Sequence, residues 1–444
     1  MKAGDRWHES AVYADPLTGR SVRRLTSTGP INQTPTYHTN SGFTADGRHL
    51  VLVSVREGAT WVLAAEVATG ELQALWRAPG IGDRSYIHRG MSLAGGEALA
   101  SEVDGGGICG NRVCLAPRSR TAVIAVGRSL VAVAIDTGAA RVLLEDCGDE
   151  WIFGAPCVDP AERWVAVALS TGHPELVGHP QLAASAARAG GRERAERITL
   201  GDVTASLVPA RDYCEHEHRL RLVRVPLDGA GGVEVLYEHP GPAQSAHCAF
   251  CPADGNLLYF DLDLPPRYWC GGDGLTPRIW LLDLATGAAR PVKAQYPGPF
   301  QIHQAWLWDG RALAYHGRAS EGGEYFGLVT PAGETLWERT WPEATAYGHL
   351  AADATRPALI IDGQFGDDRL QWLYWDTDEP HGAPVDSPAA APRLETICRH
   401  GTEWGSIPGQ YSHPHPLTDG AGNWISFTAA RGGRSDVYVV DVRS

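Results

Sequence analysis

The chain is poor in the features that mark most large protein classes. Methionine is nearly missing, with 2 in 444 residues, and long runs of strong helix formers are few, so the core is not a helical bundle. No stretch approaches the roughly 18 consecutive apolar residues of a membrane span. The opening Met-Lys-Ala-Gly-Asp-Arg-Trp-His-Glu has no apolar segment of the kind a signal peptide needs. Basic charge is short as well: 38 Lys and Arg against 52 Asp and Glu leave a formal net charge of −14. General nucleic-acid binding, which needs a basic face to neutralise phosphates, is thereby excluded. An acidic ligand must be drawn in by a local cluster of arginine or metal, against the overall field. No G-x-S-x-G nucleophile elbow occurs, and no length remains for a second, hydrolase domain beside the repeats described below. The 9 cysteines are odd in number and scattered. With no export signal they read as reduced thiols, and the expected location is the cytoplasm. Cys248 and Cys251 form a C-x-x-C, but no second pair stands at zinc-ribbon spacing, so a structural metal is not expected there.

What the chain does have is 52 Gly, 30 Pro and 15 Trp, the composition of many short strands joined by tight turns. One pattern recurs: a short apolar strand, an Asp-Gly type of turn, a β-rich strand, a polar gap, then a strand ending in a Thr-Gly or Asp-Gly turn. Its clearest copy runs from Gly42-Phe-Thr-Ala-Asp-Gly to Glu66-Val-Ala-Thr-Gly. Worn or complete copies follow from about Met91, Ala155, Ala249, Ala305, Leu350 and Leu417. Repeats of four short strands at a period near or above roughly 40 residues mark β-propeller blades. The sequence therefore predicts an all-β, seven-bladed propeller forming a single closed domain over residues 1–444. Val22-Arg-Arg-Leu-Thr supplies the outer strand that the last copy lacks, which closes the ring and removes open sheet edges. The helix-favouring, charged stretch of about 178–218 interrupts the third copy and reads as an insertion over one face, either a lid or a solvated excursion.

The densest chemistry lies in Gln410-Tyr-Ser-His-Pro-His. In an extended segment His413 and His415 share one face and are able to ligate one ion. Pro414 and Pro416 place the segment at a strand entry or edge, so the pair is expected to be presented rather than buried. Gln410 offers a carboxamide oxygen for a ligand set or a sugar hydroxyl. A bland reading, a stiff strand entry with two solvated imidazoles, stands against this. The other histidines weigh against the bland reading. His247, His303, His349 and the His413/His415 pair each stand just before or at the first strand of copies four to seven. In a propeller that strand lines the central channel, so four neighbouring blades aim imidazoles at one mouth. Imidazole nitrogens with one amide oxygen suit Mn, Fe, Co, Ni or Zn. The lack of cysteine and of several carboxylates argues against a closed zinc site or calcium.

Arg399-His-Gly-Thr-Glu-Trp-Gly, Gln410-Tyr-Ser-His-Pro-His-Pro, Phe300-Gln-Ile-His-Gln-Ala-Trp, Pro277-Arg-Ile-Trp and Arg23-Arg-Leu-Thr together resemble the oligogalacturonate lyases. These are cytoplasmic seven-bladed propellers that cleave short pectin fragments by β-elimination with bound manganese. The resemblance implies His303, Gln410, His413 and His415 as metal ligands, His247 as catalytic base and Arg221 as the arginine beside it. Arg219 and Arg224 lie near enough to be confused with Arg221. Arg278, His349, His400 and Trp404 are expected to meet substrate, Trp404 by stacking as Trp306 and Trp308 also would. The implied cofactor is manganese or another divalent transition ion, and the implied partner is an acidic oligosaccharide, with neither nucleic acid nor membrane. Eliminating across C4–C5 of a uronate removes a proton beside a carboxylate, and a metal and an arginine supply the charge that makes this affordable. A neutral histidine kept from protonation by those cations is able to take the proton. The chain departs from the family at Gln304, where an acidic residue is usual, and around Ala246-His247-Cys248, where the family reads Gly-His-Pro. These departures bear on which uronate is cleaved. The competing class is a propeller that only binds sugars or a protein.

Overall fold

The computed structural model describes residues 1–34, 37, 39–78, 112–126, 128–145, 147–148, 150–152, 154–170, 219–240, 245, 247–262, 277–293, 300–319, 322–346, 348–366, 368–375, 391–407 and 409–443. The side chains of 151, 170, 300, 302, 409 and 410 lie outside that description. The insertion expected at about 178–218 and the start of the second repeat lie outside it too.

Seven antiparallel sheets follow one another along the chain and close into a seven-bladed propeller. Blade one comprises Ile31–Gln33, His49–Arg56, Ala59–Glu66 and Glu71–Arg77, with Arg6–His8 added outside. Blade two is Val113–Ala116, Thr121–Val126, Ser129–Ala134 and Ala140–Leu144. Blade three is Cys157–Val158, Trp164–Ser170, Leu220–Pro226 and Glu234–Glu238, and Trp151–Ile152 also pairs with its second strand. Blades four, five and six begin at Cys248–Phe250, Phe300–Trp306 and Leu350–Ala352. Blade seven takes Leu417–Thr418, Trp424–Arg431 and Arg434–Asp441 from the end of the chain and Ser21–Arg24 from its beginning, as expected. Ala11–Ala14 then adds a fifth strand, which the sequence reading did not foresee.

The near-continuous apolar strands follow from burial on both faces. On the second strand of blade one, Val51 and Val53 pack with Val113 and Leu115 of blade two, while Leu50 and Leu52 pack with Val437 and Val439 of blade seven. The period-2 alternation of a strand thus joins each blade to both neighbours. The recurrent Asp turns have a local cause. Asp159, Asp353 and Asp419 each accept backbone N–H groups two to five residues ahead, such as Trp164 N at 2.7 Å and Trp424 N at 3.0 Å, and so cap the turn between the first two strands. Trp61 and Trp306 are buried between blades. The indole of Trp306 donates to Ala249 O at 3.0 Å, so it joins blade five to blade four.

Glu9 stands where the chain crosses from blade one to blade seven, and it fastens the closure. Its carboxylate accepts from the Trp7 indole (2.6 Å), Ser27 N (2.7 Å), Thr28 N (2.9 Å) and the Arg56 guanidinium (2.6 Å). Burial pushes its pKa up, but these donors outweigh burial and hold it at about 2, against 4.5 ordinarily. A depressed carboxylate stabilises the fold above its unfolded pKa, and the contribution is lost as pH falls through the folded value. The shift corresponds to on the order of 3 kcal/mol, which solvent screening trims to about 2. Glu9→Gln is therefore expected to lower the unfolding free energy by about 2 kcal/mol at pH 7, with the deficit shrinking between pH 4.5 and 2. Urea unfolding across that range measures it, and a deficit independent of pH would remove the carboxylate from the account.

The described cysteines 114, 147, 157, 248, 251 and 398 are free thiols. Cys248 faces Cys157 across the contact of blades three and four, with Sγ to Sγ at 3.7 Å, and Cys251 Sγ lies near Gly310 O. The C-x-x-C pair is thus split between two neighbours. Among the described residues no helix is long and apolar enough to cross a membrane.

Candidate metal centre

His247 directly precedes the first strand of blade four, His303 lies within that of blade five, His349 directly precedes that of blade six, and His413 and His415 precede that of blade seven. The propeller brings them together. Ring centroids are 4.5 Å apart for His303 and His349, 4.2 Å for His349 and His415, 5.2 Å for His349 and His413, and 5.7 Å for His413 and His415. The potential ligand atoms of His349, His413 and His415 all lie within 4.8 Å of one another. His349, expected to bind substrate, is fully buried and belongs to the metal-capable group.

The approach of His413 and His415 differs from the extended entry read from sequence. Gly409–Ser412 is a single turn of 3-10 helix, and His415 takes a left-handed φ of 46°. The pair is also less presented than expected, with His415 5% exposed. Thr402 Oγ1 donates to Ser412 O (2.8 Å), and His415 N donates to Asp362 (3.2 Å), so tertiary bonds hold the turn. Gln410 lies in this turn, and its side chain is outside the described residues.

Behind the histidines lies a device repeated in register. Backbone pairing sets Cys248 opposite Phe260, Gln304 opposite Tyr315 and Leu350 opposite Ile361. The residues facing His247, His303 and His349 on the second strands are therefore Asp261, His316 and Asp362. Asp261 accepts from His247 N (3.0 Å) and Ser245 Oγ (2.9 Å). Asp362 accepts from His349 N (2.6 Å) and stands 3.1 Å from His349 Nδ1. His316 Nε2 is 2.8 Å from His303 Nδ1, and His316 Nδ1 is 3.1 Å from Glu324.

These carboxylates assign the tautomers. An ionised carboxylate only accepts, so Asp362 requires a proton on His349 Nδ1 and leaves the Nε2 lone pair toward the centre. Glu324 likewise requires Nδ1–H on His316; His316 Nε2 then accepts from His303 Nδ1–H, and the lone pair of His303 Nε2 also faces inward. His349 Nε2 stands 3.2 Å from His415 Nε2. Converging imidazoles, two of them oriented in this way, are the donor set a divalent transition ion takes.

Trp404 is half-buried, with its ring 4.9 Å from His413 and stacked on His349 at 6.4 Å. Arg278, expected to meet substrate, is 7% exposed and donates to Asp261 (2.8 Å) and Gln304 (2.8 Å). It braces the floor under His247. His400, also expected to meet substrate, is fully buried, and its Nδ1 accepts from Thr402 N (3.1 Å). Arg221 lies at the start of the third strand of blade three and grips the buried Glu150 with two guanidinium nitrogens, Nε at 2.7 Å. Arg224 pairs with Glu234 and lies over Trp164, on the outer side of the same blade. Trp308 is partly exposed and donates to Ala352 O.

Sequence reasoning missed Tyr37. Its ring is stacked on His247 (4.7 Å, 14°) and lies 4.5 Å from His415, and its hydroxyl is 2.8 Å from His303 Nε2. Nothing periodic marks the loop that carries it. Asp261, His316 and Asp362 were missed too, although each stands 13 or 14 residues after its histidine, a nearly constant offset that stacking the repeats on one another would show.

No family model matches the chain. It is 24% identical over 226 residues to the oligogalacturonate lyase of Dickeya dadantii, a match covering 50% of this chain and 55% of that one. It is 24% identical over 230 residues to the oligogalacturonide lyase of Pectobacterium atrosepticum, again 50% and 55%. The chain thus spans about half the length of the curated relatives it matches. Among solved structures, an oligogalacturonate lyase in complex with manganese superposes with a TM-score of 0.68 at 18% identity, covering 99% of this chain and 98% of that one. The oligogalacturonate lyase from Vibrio parahaemolyticus gives 0.69 at 18% identity, over 100% and 99%. In sequence over half its length, and in its seven-bladed fold over nearly all of it, the chain resembles the oligogalacturonate lyases.

Proposed function

We propose that the protein is a metal-dependent lyase that cleaves short uronic-acid oligosaccharides, galacturonides or a related uronate, by β-elimination to a 4,5-unsaturated uronate. The observation that carries the reading is the convergence of histidines from four blades, with His349 oriented by the buried Asp362 and His303 by Glu324 through His316. His303, His349, His413 and His415, with Gln410, would hold manganese or another divalent transition ion, which when bound would supply Lewis acidity toward the uronate carboxylate.

The chain's own residues do the rest. His247 takes the proton from C5, its backbone fixed by Asp261 and its ring plane by the stacked Tyr37. Arg221, oriented by Glu150, offers positive charge to the carboxylate as negative charge develops on it. Trp404 presents a ring face for a sugar to stack on. The free thiols accord with a reducing compartment, and we place the reaction in the cytoplasm.

The test is an ultraviolet assay for the unsaturated product, with digalacturonate, trigalacturonate and a panel of other uronate oligosaccharides, on manganese-loaded and chelated protein. A rise on galacturonides that chelation abolishes is expected. A rise on another uronate alone keeps the chemistry and moves the substrate. Silence on all of them, from protein that binds no metal, leaves a propeller that only binds its ligand.

A further inference from the structure

Tyr37 sits inside the ring of histidines although it comes from the opposite end of the chain, 266 residues from His303. It follows the first strand of blade one, and its backbone is left-handed, with φ 53°. A bulky residue held in that region is costly, and such strain persists where the surrounding structure dictates it, most often at functional sites. The side chain is buried, at 6% exposure, with four imidazoles around it: ring centroids stand 4.5 Å away for His415, 4.7 Å for His247, 5.3 Å for His349 and 5.6 Å for His303. Packing alone would be served by phenylalanine. The hydroxyl stands 2.8 Å from Nε2 of His303. That atom carries the inward lone pair which Glu324 assigns through His316.

Two donors bound side by side to one transition ion, each at about 2.1 Å, stand about 3 Å apart. The separation of Tyr37 Oη from His303 Nε2 and that of His349 Nε2 from His415 Nε2, 2.8 and 3.2 Å, both have this size. We propose that Tyr37 is an oxygen ligand of the ion held by the histidine cluster, bound beside His303. The phenol gives up its proton to the buffer as the metal–oxygen bond forms, as ligand groups do on metal binding. The inference rests on the metal-site reading alone, and stands or falls independently of which sugar is cleaved or whether one is.

Ferric ion is the probe, because a phenolate bound to it absorbs in the visible and imidazole or carboxamide ligands alone do not. Protein loaded with one equivalent of ferric ion as its citrate complex is expected to show that band, with phenolate modes in its resonance Raman spectrum. Tyr37→Phe keeps the stacked ring and is expected to lose the band while still binding iron, counted by elemental analysis. Tyr411→Phe, altering the neighbouring tyrosine of the Gly409–Ser412 turn, is expected to keep it. Manganese(II) affinity in Tyr37→Phe is expected to fall roughly 10–100-fold, the scale of losing one supporting group. Iron bound by the unaltered protein without a visible band overturns the proposal, and so does a band that survives Tyr37→Phe. A protein that binds neither metal removes the metal site with it, while the ultraviolet assay reports separately on elimination. Since the unaltered protein alone is able to give the overturning result, poor folding of the variant does not shelter the idea.

Discussion

His247→Ala is expected to lower the rate of uronate elimination by roughly 10²–10⁴-fold, the usual contribution of a positioned general base, while manganese binds as before. The geometry separates the two effects. The ligand atoms of His349, His413 and His415 lie within 4.8 Å of one another, and with His303 and Gln410 these are the groups proposed to hold the ion. The His247 ring instead lies parallel to Tyr37 at 4.7 Å, and its backbone nitrogen is pinned by Asp261 at 3.0 Å. Removing the imidazole therefore takes away a proton acceptor and leaves the inward lone pairs of the other blades in place. Single-turnover rates on trigalacturonate, with manganese content measured on the same samples, read both. A rate within about tenfold of wild type would take the base away from His247, and loss of manganese along with the rate would make it a ligand instead.

The ring of histidines was legible because its signals are local. Asp-Gly turns and apolar pairs mark where each first strand starts, so His247, His303, His349 and His415 could be seen to occupy equivalent places without any knowledge of contacts. Their supports were not legible in the same way. Asp261, His316 and Asp362 matter through cross-strand register, and a buried aspartate at a strand end reads in sequence like one more turn residue. The contacts of Arg278, expected to meet substrate, were not legible either: it is 7% exposed and donates to Asp261 and Gln304. The Gln410–His415 stretch was read as an extended strand entry because Pro414 and Pro416 fix φ and withhold N–H groups. Bonds from Thr402 and to Asp362, made by residues distant in sequence, override that preference. Tyr37 was beyond reach, since its role arises only when the first blade is brought round to face the fifth.

The same repeated register yields the second large effect, in which two aspartates at equivalent positions should fail in different ways. Asp362 has one oxygen on His349 N and the other beside both His349 Nδ1 and His415 N, at 2.6, 3.1 and 3.2 Å, and it is fully buried. In Asp362→Asn one oxygen becomes an NH2 group facing donors. If the remaining oxygen stays on His349 N, the amide is satisfied only when His349 carries its proton on Nε2, which turns a proton instead of a lone pair toward the centre. His415 N is then left without its acceptor, at a cost of about 1–3 kcal/mol in stability. Manganese affinity is expected to fall by at least the 10–100-fold typical of lost outer-shell support, read from the free manganese(II) signal by electron paramagnetic resonance. Asp261→Asn disturbs His247 N, Ser245 and Arg278 instead, so manganese should bind nearly as tightly while elimination slows. Equal manganese affinity in both variants and in the wild type would mean that the ion is held without His349. Equal loss in both would mean that blades four and six support one indivisible site, and that His247 belongs among the ligands.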